Sequence, residues 1–313
     1  EGQVRARRLL GLAASAAALV AACSSDDPPA PVGPAPDAGE TPDAAPPPED
    51  GGGEVDAGTD TAAPPIATVT MEKMTSSGRE RTYVLVVPRT YDPAKTYPLV
   101  LVFHGQPGTA KGFHDYYPFE AASQQDAIIA YPDGTNREWN LYEASATNED
   151  MIYIKDLIDA LAAKYTIDKT RVLGDGYSNG GFFINQLACR FAGLLKAISV
   201  HAGGAPGEPL VMNPPTWPNG YLKCESGGPI AAIVLHGADD GVVTVGSGDF
   251  DAMYWAYVNG CQTTRSATTP APCQEHDGCP ADKPVHWCLV PGLGHRVWSQ
   301  GAATAWGFFT SLP

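Results

Sequence analysis

The residues with the clearest chemical capacity lie in 171–181. There an apolar run enters Gly176-Tyr177-Ser178-Asn179-Gly180 and a helical pattern follows. A Gly-x-Ser-x-Gly segment between a strand and a helix folds as a sharp turn that projects the serine hydroxyl out of the sheet. The turn strains the serine backbone and leaves no room for side chains at Gly176 and Gly180. A simple surface turn is the bland alternative, and the strand-turn-helix setting argues against it. A serine hydroxyl is a weak nucleophile at neutral pH and needs a base held by a carboxylate. With a turn of this kind the acid follows the serine in the chain, and the histidine follows the acid. Of the seven histidines, His104 and His114 precede Ser178, and His201 and His236 precede or abut the acid candidates. His276 falls in a cysteine-rich loop and His286 inside a predicted strand. His295, in Pro291-Gly292-Leu293-Gly294-His295 just past the last predicted strand, is the expected base. The expected acid is Asp240, with Asp239 as its rival. Both stand where the run 231–235 ends, the edge of such sheets at which catalytic groups gather. An oxyanion needs N–H donors worth about 3–4 kcal/mol each. The amides of Gln106, in the loop His104-Gly105-Gln106-Pro107-Gly108, and of Asn179 are the candidates, since Pro107 has no N–H.

Elements able to carry these groups alternate along the chain. Apolar runs at 83–87, 99–103, 127–130, 171–174, 197–201, 231–235 and 285–290 read as strands, several of them continuous as in a sheet covered on both faces. Helical spacing appears at 150–165, after Ser178, at 250–258 and near Trp306. The fold class is α/β: a mainly parallel central sheet flanked by helices, forming one catalytic domain over 66–313. No internal repeat and no glycine-rich phosphate loop is found, and no cofactor or metal is expected.

The first 65 residues read differently. Arg5, Arg7 and Arg8 precede an apolar run to Ala22 that ends Val20-Ala21-Ala22-Cys23. Residues 1–23 therefore read as an export signal with a lipobox, too short for an ordinary membrane span. The stretch resembles the leader of bacterial lipoproteins, which implies a lipid on Cys23 as the membrane link. Opening on Glu1 rather than Met, the chain is expected to have residues upstream. Residues 24–65, built of Pro, Ala, Gly, Asp and Glu, predict a disordered tether. The tether holds ten acids and no base, a large part of the formal charge of −15, and about −7 remains for the domain. Nucleic acid is excluded as a partner on that balance. The other six cysteines, Cys189, Cys224, Cys261, Cys273, Cys279 and Cys288, are an even set in an exported chain, which suggests three disulfides. A zinc site is the rival, disfavoured because no Cys-x-x-Cys pair occurs. A monomer facing the periplasm or cell exterior is expected.

Several segments, taken in order, carry a family pattern: Tyr97-Pro98-Leu99-Val100 before His104-Gly105, and Tyr131-Pro132-Asp133-Gly134 with Trp139 downstream. Gly176 to Gly181, His236-Gly237-x-x-Asp240 and Gly292-x-Gly294-His295 complete it. From Met71 onward the chain resembles the secreted esterases grouped with polyhydroxybutyrate depolymerases and feruloyl esterases, close to acetylxylan esterases, in the α/β-hydrolase superfamily. The resemblance implies a serine ester hydrolase with the acid at Asp240 rather than Asp239, and a disulfide between Cys189 and Cys224. It implies polymeric ester substrates, feruloyl esters of plant cell-wall polysaccharide first and aliphatic polyesters second. A catalytically silent surface binding protein on the same scaffold is the reading from another class, and a peptidase is disfavoured because no accessory propeller domain is seen. Gln106-Pro107 and Arg296-Val297-Trp298 depart from the family pattern at the substrate mouth. Trp139, Tyr177, Trp217 and Trp298 are candidate substrate contacts, suited to a phenolic acyl group or a sugar face.

Overall fold

The segment Tyr97–Phe103 carries no charged residue, and all of its positions are buried, as a strand covered on both faces requires. In the computed structural model it is β3 of a ten-stranded sheet. The structure describes residues 66–206 and 214–313; the expected export signal, Cys23 and the tether 24–65 lie outside them. The remaining strands are β1 (Ala67–Ser76), β2 (Arg79–Pro88), β4 (Ile128–Pro132), β5 (Ile167–Tyr177), β6 (Ala197–His201), β7 (Ala231–Gly237), β8 (Arg265–Ala267), β9 (Cys273–His276) and β10 (Val285–Val290). Their spatial order is β1-β2-β4-β3-β5-β6-β7-β10-β9-β8. Neighbours from β4 through β10 run parallel, and antiparallel pairs flank that block at both ends.

Alternation along β3 feeds two separate cores. Leu99, Leu101 and Phe103 pack on one face with Ile154, Leu157, Phe183, Leu187 and Trp255. Those partners come from α3 (Glu149–Lys164), α4 (Asn179–Arg190) and α5 (Val245–Asn259). Val100 and Val102 point the other way, toward Phe113, Phe119, Phe308 and Phe309. Phe113 belongs to α1 (Ala110–Tyr116), Phe119 caps α2 (Glu120–Ser123), and the last two lie on α6 (Gly301–Ser311). The mainly parallel sheet with helices on both faces is as expected from the alternation.

Where the elements differ from expectation, the cause is local composition. The hairpin partner β1 escapes notice because it lies at the edge, with Val69 and Met71 exposed and a polar residue between them, so no apolar run marks it. Its turn at Ser77-Gly78, both with positive φ, is the two-residue hairpin signal that would have found it. Helix α3 starts one residue early, because the Asn148 side chain accepts the Met151 N–H at 3.1 Å. Helix α5 starts at Val245 rather than 250, where Gly246 and Gly248 hide a helix from propensity.

All six domain cysteines are paired, as Cys189–Cys224, Cys261–Cys279 and Cys273–Cys288. Each bond closes a loop of 15 to 35 residues, worth about 3 kcal/mol in a chain-entropy account. The expectation of three disulfides therefore holds, and such bonds fit an oxidising, extracytoplasmic compartment. No helix among the described residues is long and apolar enough to cross a membrane.

Candidate active site

Strand β5 ends at Tyr177 and α4 begins at Asn179, so Ser178 alone makes the turn, with φ +53° and ψ −119°. For a side chain other than glycine such a conformation costs on the order of 1–3 kcal/mol. Two backbone bonds hold it: Ser178 N–H donates to His201 O at 2.8 Å, and Phe182 N–H donates to Ser178 O at 3.0 Å. A Cβ on Gly176 would lie 2.5 Å from the Gly180 carbonyl oxygen, and one on Gly180 would lie 2.6 Å from His104 O. Both glycines are there because backbone passes too close for anything larger.

The loops after β7 and β10 meet over this turn. Asp239 N–H donates to Leu293 O at 2.9 Å, and Gly237 leaves space for the Leu293 and Gly294 carbonyls. This juxtaposition brings Asp240 Oδ2 to 2.8 Å from His295 Nδ1, and His295 Nε2 to 3.0 Å from Ser178 Oγ. Asp240 Oδ1 accepts from the amides of Val242 and Val243, both at 2.9 Å. Burial alone would raise the Asp240 carboxyl; the bonds from His295, Val242 and Val243 outweigh it and hold its pKa below the ordinary carboxylate range. Asp239 is exposed, whereas Asp240 is buried. The same turn is braced by buried His236, whose Nε2–H donates to Val243 O at 2.9 Å. Tyr177 reaches the far side of His295: its hydroxyl donates to His295 O at 2.8 Å, and burial pushes that hydroxyl up to about 12, so it remains a donor.

The loop after β3 faces the opposite side of Ser178. His104 is its anchor: Nε2 accepts the Gly134 N–H at 3.0 Å and Nδ1–H donates to Gly105 O at 2.8 Å. That pattern requires the neutral ring, and burial lowers the pKa of His104 accordingly. Trp139 Nε1–H donates to His104 O at 3.0 Å, while the Asn179 side chain accepts the Trp139 N–H at 2.7 Å. Gln106 Nε2 donates to Glu138. Gln106, Ser178 and Asn179 thereby line one cavity of about 470 Å³ with Glu138, Asn140, Tyr142, Glu143 and Phe182. The Asn179 amide is the first of α4, where N–H groups point out of the helix and favour negative charge.

The four aromatic candidates separate in space. Trp139 is buried, stacked on Phe183 at 4.7 Å, and gives the cavity only part of its wall. Tyr177 packs on Phe113 and His295. Trp217 packs on Tyr257 with the Lys223 ammonium over its ring and lies outside the residues lining the Ser178 cavity. Trp298 lines a different cavity beyond His295. His104 and His236 stand in the sequence as disfavoured bases and as members of the family pattern, each beside a glycine at a strand end; their bracing roles are visible only in the structure. No group of three or more His, Cys, Asp or Glu that could hold a metal occurs among the described residues.

No family model matches the chain. A protein named probable feruloyl esterase C from Aspergillus terreus is 28% identical over 252 residues, which are 75% of this chain and 84% of that protein. Feruloyl esterase C from Emericella nidulans is 30% identical over 195 residues, 60% of this chain and 64% of that one. Feruloyl esterases are homologues of this chain. Among solved structures, the acetyl xylan esterase from Aspergillus awamori superposes with a TM-score of 0.63 at 19% identity, covering 77% of this chain and 99% of its own. The shared architecture is the α/β-hydrolase fold, as the sequence pattern implied. The homologues and this neighbour carry the esterase names that the resemblance implied.

Proposed function

We propose that this chain is a serine carboxylic-ester hydrolase of the feruloyl esterase type, releasing acyl groups from plant cell-wall polysaccharide outside the cytoplasm. The observation that carries the reading is the continuous contact from Asp240 through the two nitrogens of His295 to Ser178 Oγ, at the mouth of a cavity. The names of the homologues supply the acyl class.

In this reading Ser178 Oγ attacks the ester carbonyl carbon as His295 Nε2 takes its proton. Asp240 keeps the other ring proton on Nδ1 and stabilises the imidazolium that forms. The carbonyl oxygen, now negative, turns toward the Gln106 and Asn179 amides, worth about 3–4 kcal/mol each. His295 returns the proton to the leaving alcohol, and a water molecule then repeats the sequence on the acyl-enzyme. Tyr177 and His104 are positioning residues, the first for the base and the second for the oxyanion loop.

We read residues 66–313 as the catalytic unit, 24–65 as its tether and a lipid on Cys23 as its anchor. The supporting features are the lipobox and the composition shift at residue 66. Incubation of the purified chain with methyl ferulate, a short chromogenic ester and a polyhydroxybutyrate film tests the reading. Release of ferulate by the wild type and not by Ser178→Ala is expected. A folded protein inert on every ester would overturn it in favour of a binding protein, and cleavage of the film alone would replace the acyl class.

A further inference from the structure

This inference rests on the proposed ester hydrolysis and concerns the half of the substrate that leaves. A second cavity, of about 540 Å³, lies against the His295 loop. Leu293 and Arg296, on either side of the base in sequence, line it together with Tyr116 and Trp298. The chemistry assigns the two cavities to the two halves of an ester. The carbonyl oxygen must face the Gln106 and Asn179 amides, so the acyl group belongs with the cavity those residues line. The leaving oxygen must receive its proton from His295 Nε2, so the alcohol departs on the side where the His295 loop stands.

Charge separates the cavities as well. The acyl-side cavity is lined by Glu138, Glu143, Glu149 and Asp150 and by no cation. In the cavity beyond His295 the one charged lining residue is Arg296. Five other arginines are engaged: Arg79 with Glu149, Arg81 with Asp150, Arg171 with Asp168, Arg265 with Asp249, and Arg190 with the Glu143 and Leu141 carbonyls; the exposed Arg89 and Arg137 are not, but neither lines either cavity. The guanidinium of Arg296 is exposed and makes no ion pair or hydrogen bond among the described residues. Its main chain, by contrast, is fixed by the bond from Arg296 N–H to Gly294 O at 2.8 Å. An unengaged planar fork of donors is matched to a carboxylate. Tyr116, 56% exposed, and half-buried Trp298 add aromatic faces of the kind that a sugar ring covers.

We infer that the alcohol half of the natural ester is an acidic saccharide, held in the cavity beyond His295 by Arg296 with its sugar faces on Tyr116 and Trp298. Two feruloylated oligosaccharides of equal length, one neutral and one bearing a uronic acid next to the esterified sugar, test this on the full chain. The wild type is expected to cleave the acidic ester with kcat/KM about tenfold higher, mainly through KM, with the advantage shrinking at 0.5 M salt. Arg296→Gln should bring the ratio of the two substrates close to one, and Arg296→Lys should keep part of it. A wild-type ratio of one, or a ratio that Arg296→Gln leaves as it was, overturns the inference. If both oligosaccharides resist cleavage while the chromogenic ester is hydrolysed, the inference fails and the hydrolase reading stands. If the chromogenic ester is also inert, the hydrolase reading has failed first.

Discussion

Among the described residues two constellations of Asp, His and Ser stand near the Ser178 turn, and only one has the arrangement that the proposed hydrolysis needs. In the first, His295 uses Nδ1 for Asp240 and Nε2 for Ser178, so a proton taken on one side is balanced by a carboxylate on the other. In the second, beneath the same turn, His201 uses one nitrogen for everything: Nε2 lies 2.9 Å from Asp175 Oδ1, 3.2 Å from Ser199 Oγ and 3.3 Å from the Tyr117 hydroxyl. Its Nδ1 has no hydrogen-bond partner among the described residues, and Asp175 and Ser199 are fully buried. Residue types and distances alone do not separate the two sets. Which ring nitrogen meets which partner, and whether a substrate can reach the hydroxyl, does. The buried set serves the open one through its backbone, since the His201 carbonyl accepts the Ser178 N–H.

The sharpest test of this contrast compares the serines. Ser178→Ala is expected to lower kcat on a short chromogenic ester by about 10⁵- to 10⁶-fold. Ser199→Ala should leave it within about threefold. The carboxylates come next. Asp240→Asn should cost about 10⁴-fold in kcat, because the amide favours the wrong tautomer of the base. Asp175→Asn should instead appear in the denaturant midpoint, costing about 1–3 kcal/mol of stability, with kcat within about tenfold of wild type. Comparable losses of kcat in both variants would break the distinction.

A third carboxylate shows what burial does without a histidine. Asp251 accepts from Asn185 Nδ2 at 2.9 Å, has no cation beside it among the described residues, and is pushed by burial up to about 7. Between about pH 4 and 7 the folded chain keeps a proton that the unfolded chain has lost, so this group makes stability fall as pH rises through that window. Asp251→Asn should flatten that slope and stabilise the protein at pH 8 by up to about 4 kcal/mol, read from denaturant curves at pH 5 and pH 8. The smallest effect expected is that of Tyr177→Phe. Loss of the bond to His295 O is worth about 1 kcal/mol and should lower kcat severalfold with KM unchanged.

The features legible in the sequence were those written in local pattern. The central strands announce themselves as apolar runs, and Gly176, Ser178 and Gly180 carry their geometry in residue type. The rest depended on contacts between distant segments. The edge strand β1 has too much exposed surface for an apolar run, and β8 and β9 are too short and polar for one. The pairing of Cys273 with Cys288 follows from the register of β9 on β10, in which these two residues stand opposite each other. The residues favour Asp240 with Asp239 as its rival; the difference in burial that separates them arises from how the chain turns after β7. The order of groups along the chain disfavours His201 as the base, and nothing in its sequence neighbourhood signals a buried partner at Asp175.

The bond from Asp239 N–H to Leu293 O bears on how such an enzyme can change over generations. It ties the loop that carries Asp240 to the loop that carries His295 through main-chain atoms, which mutation of side chains leaves in place. Most of the walls of the two cavities come from other segments, 135–143 on one side and 116–121 with 296–302 on the other, although Leu293 itself reaches the second. On the proposed reading, selection can therefore rewrite preference for the acyl group and preference for the alcohol largely independently, while the main-chain tie between the two loops is inherited unchanged.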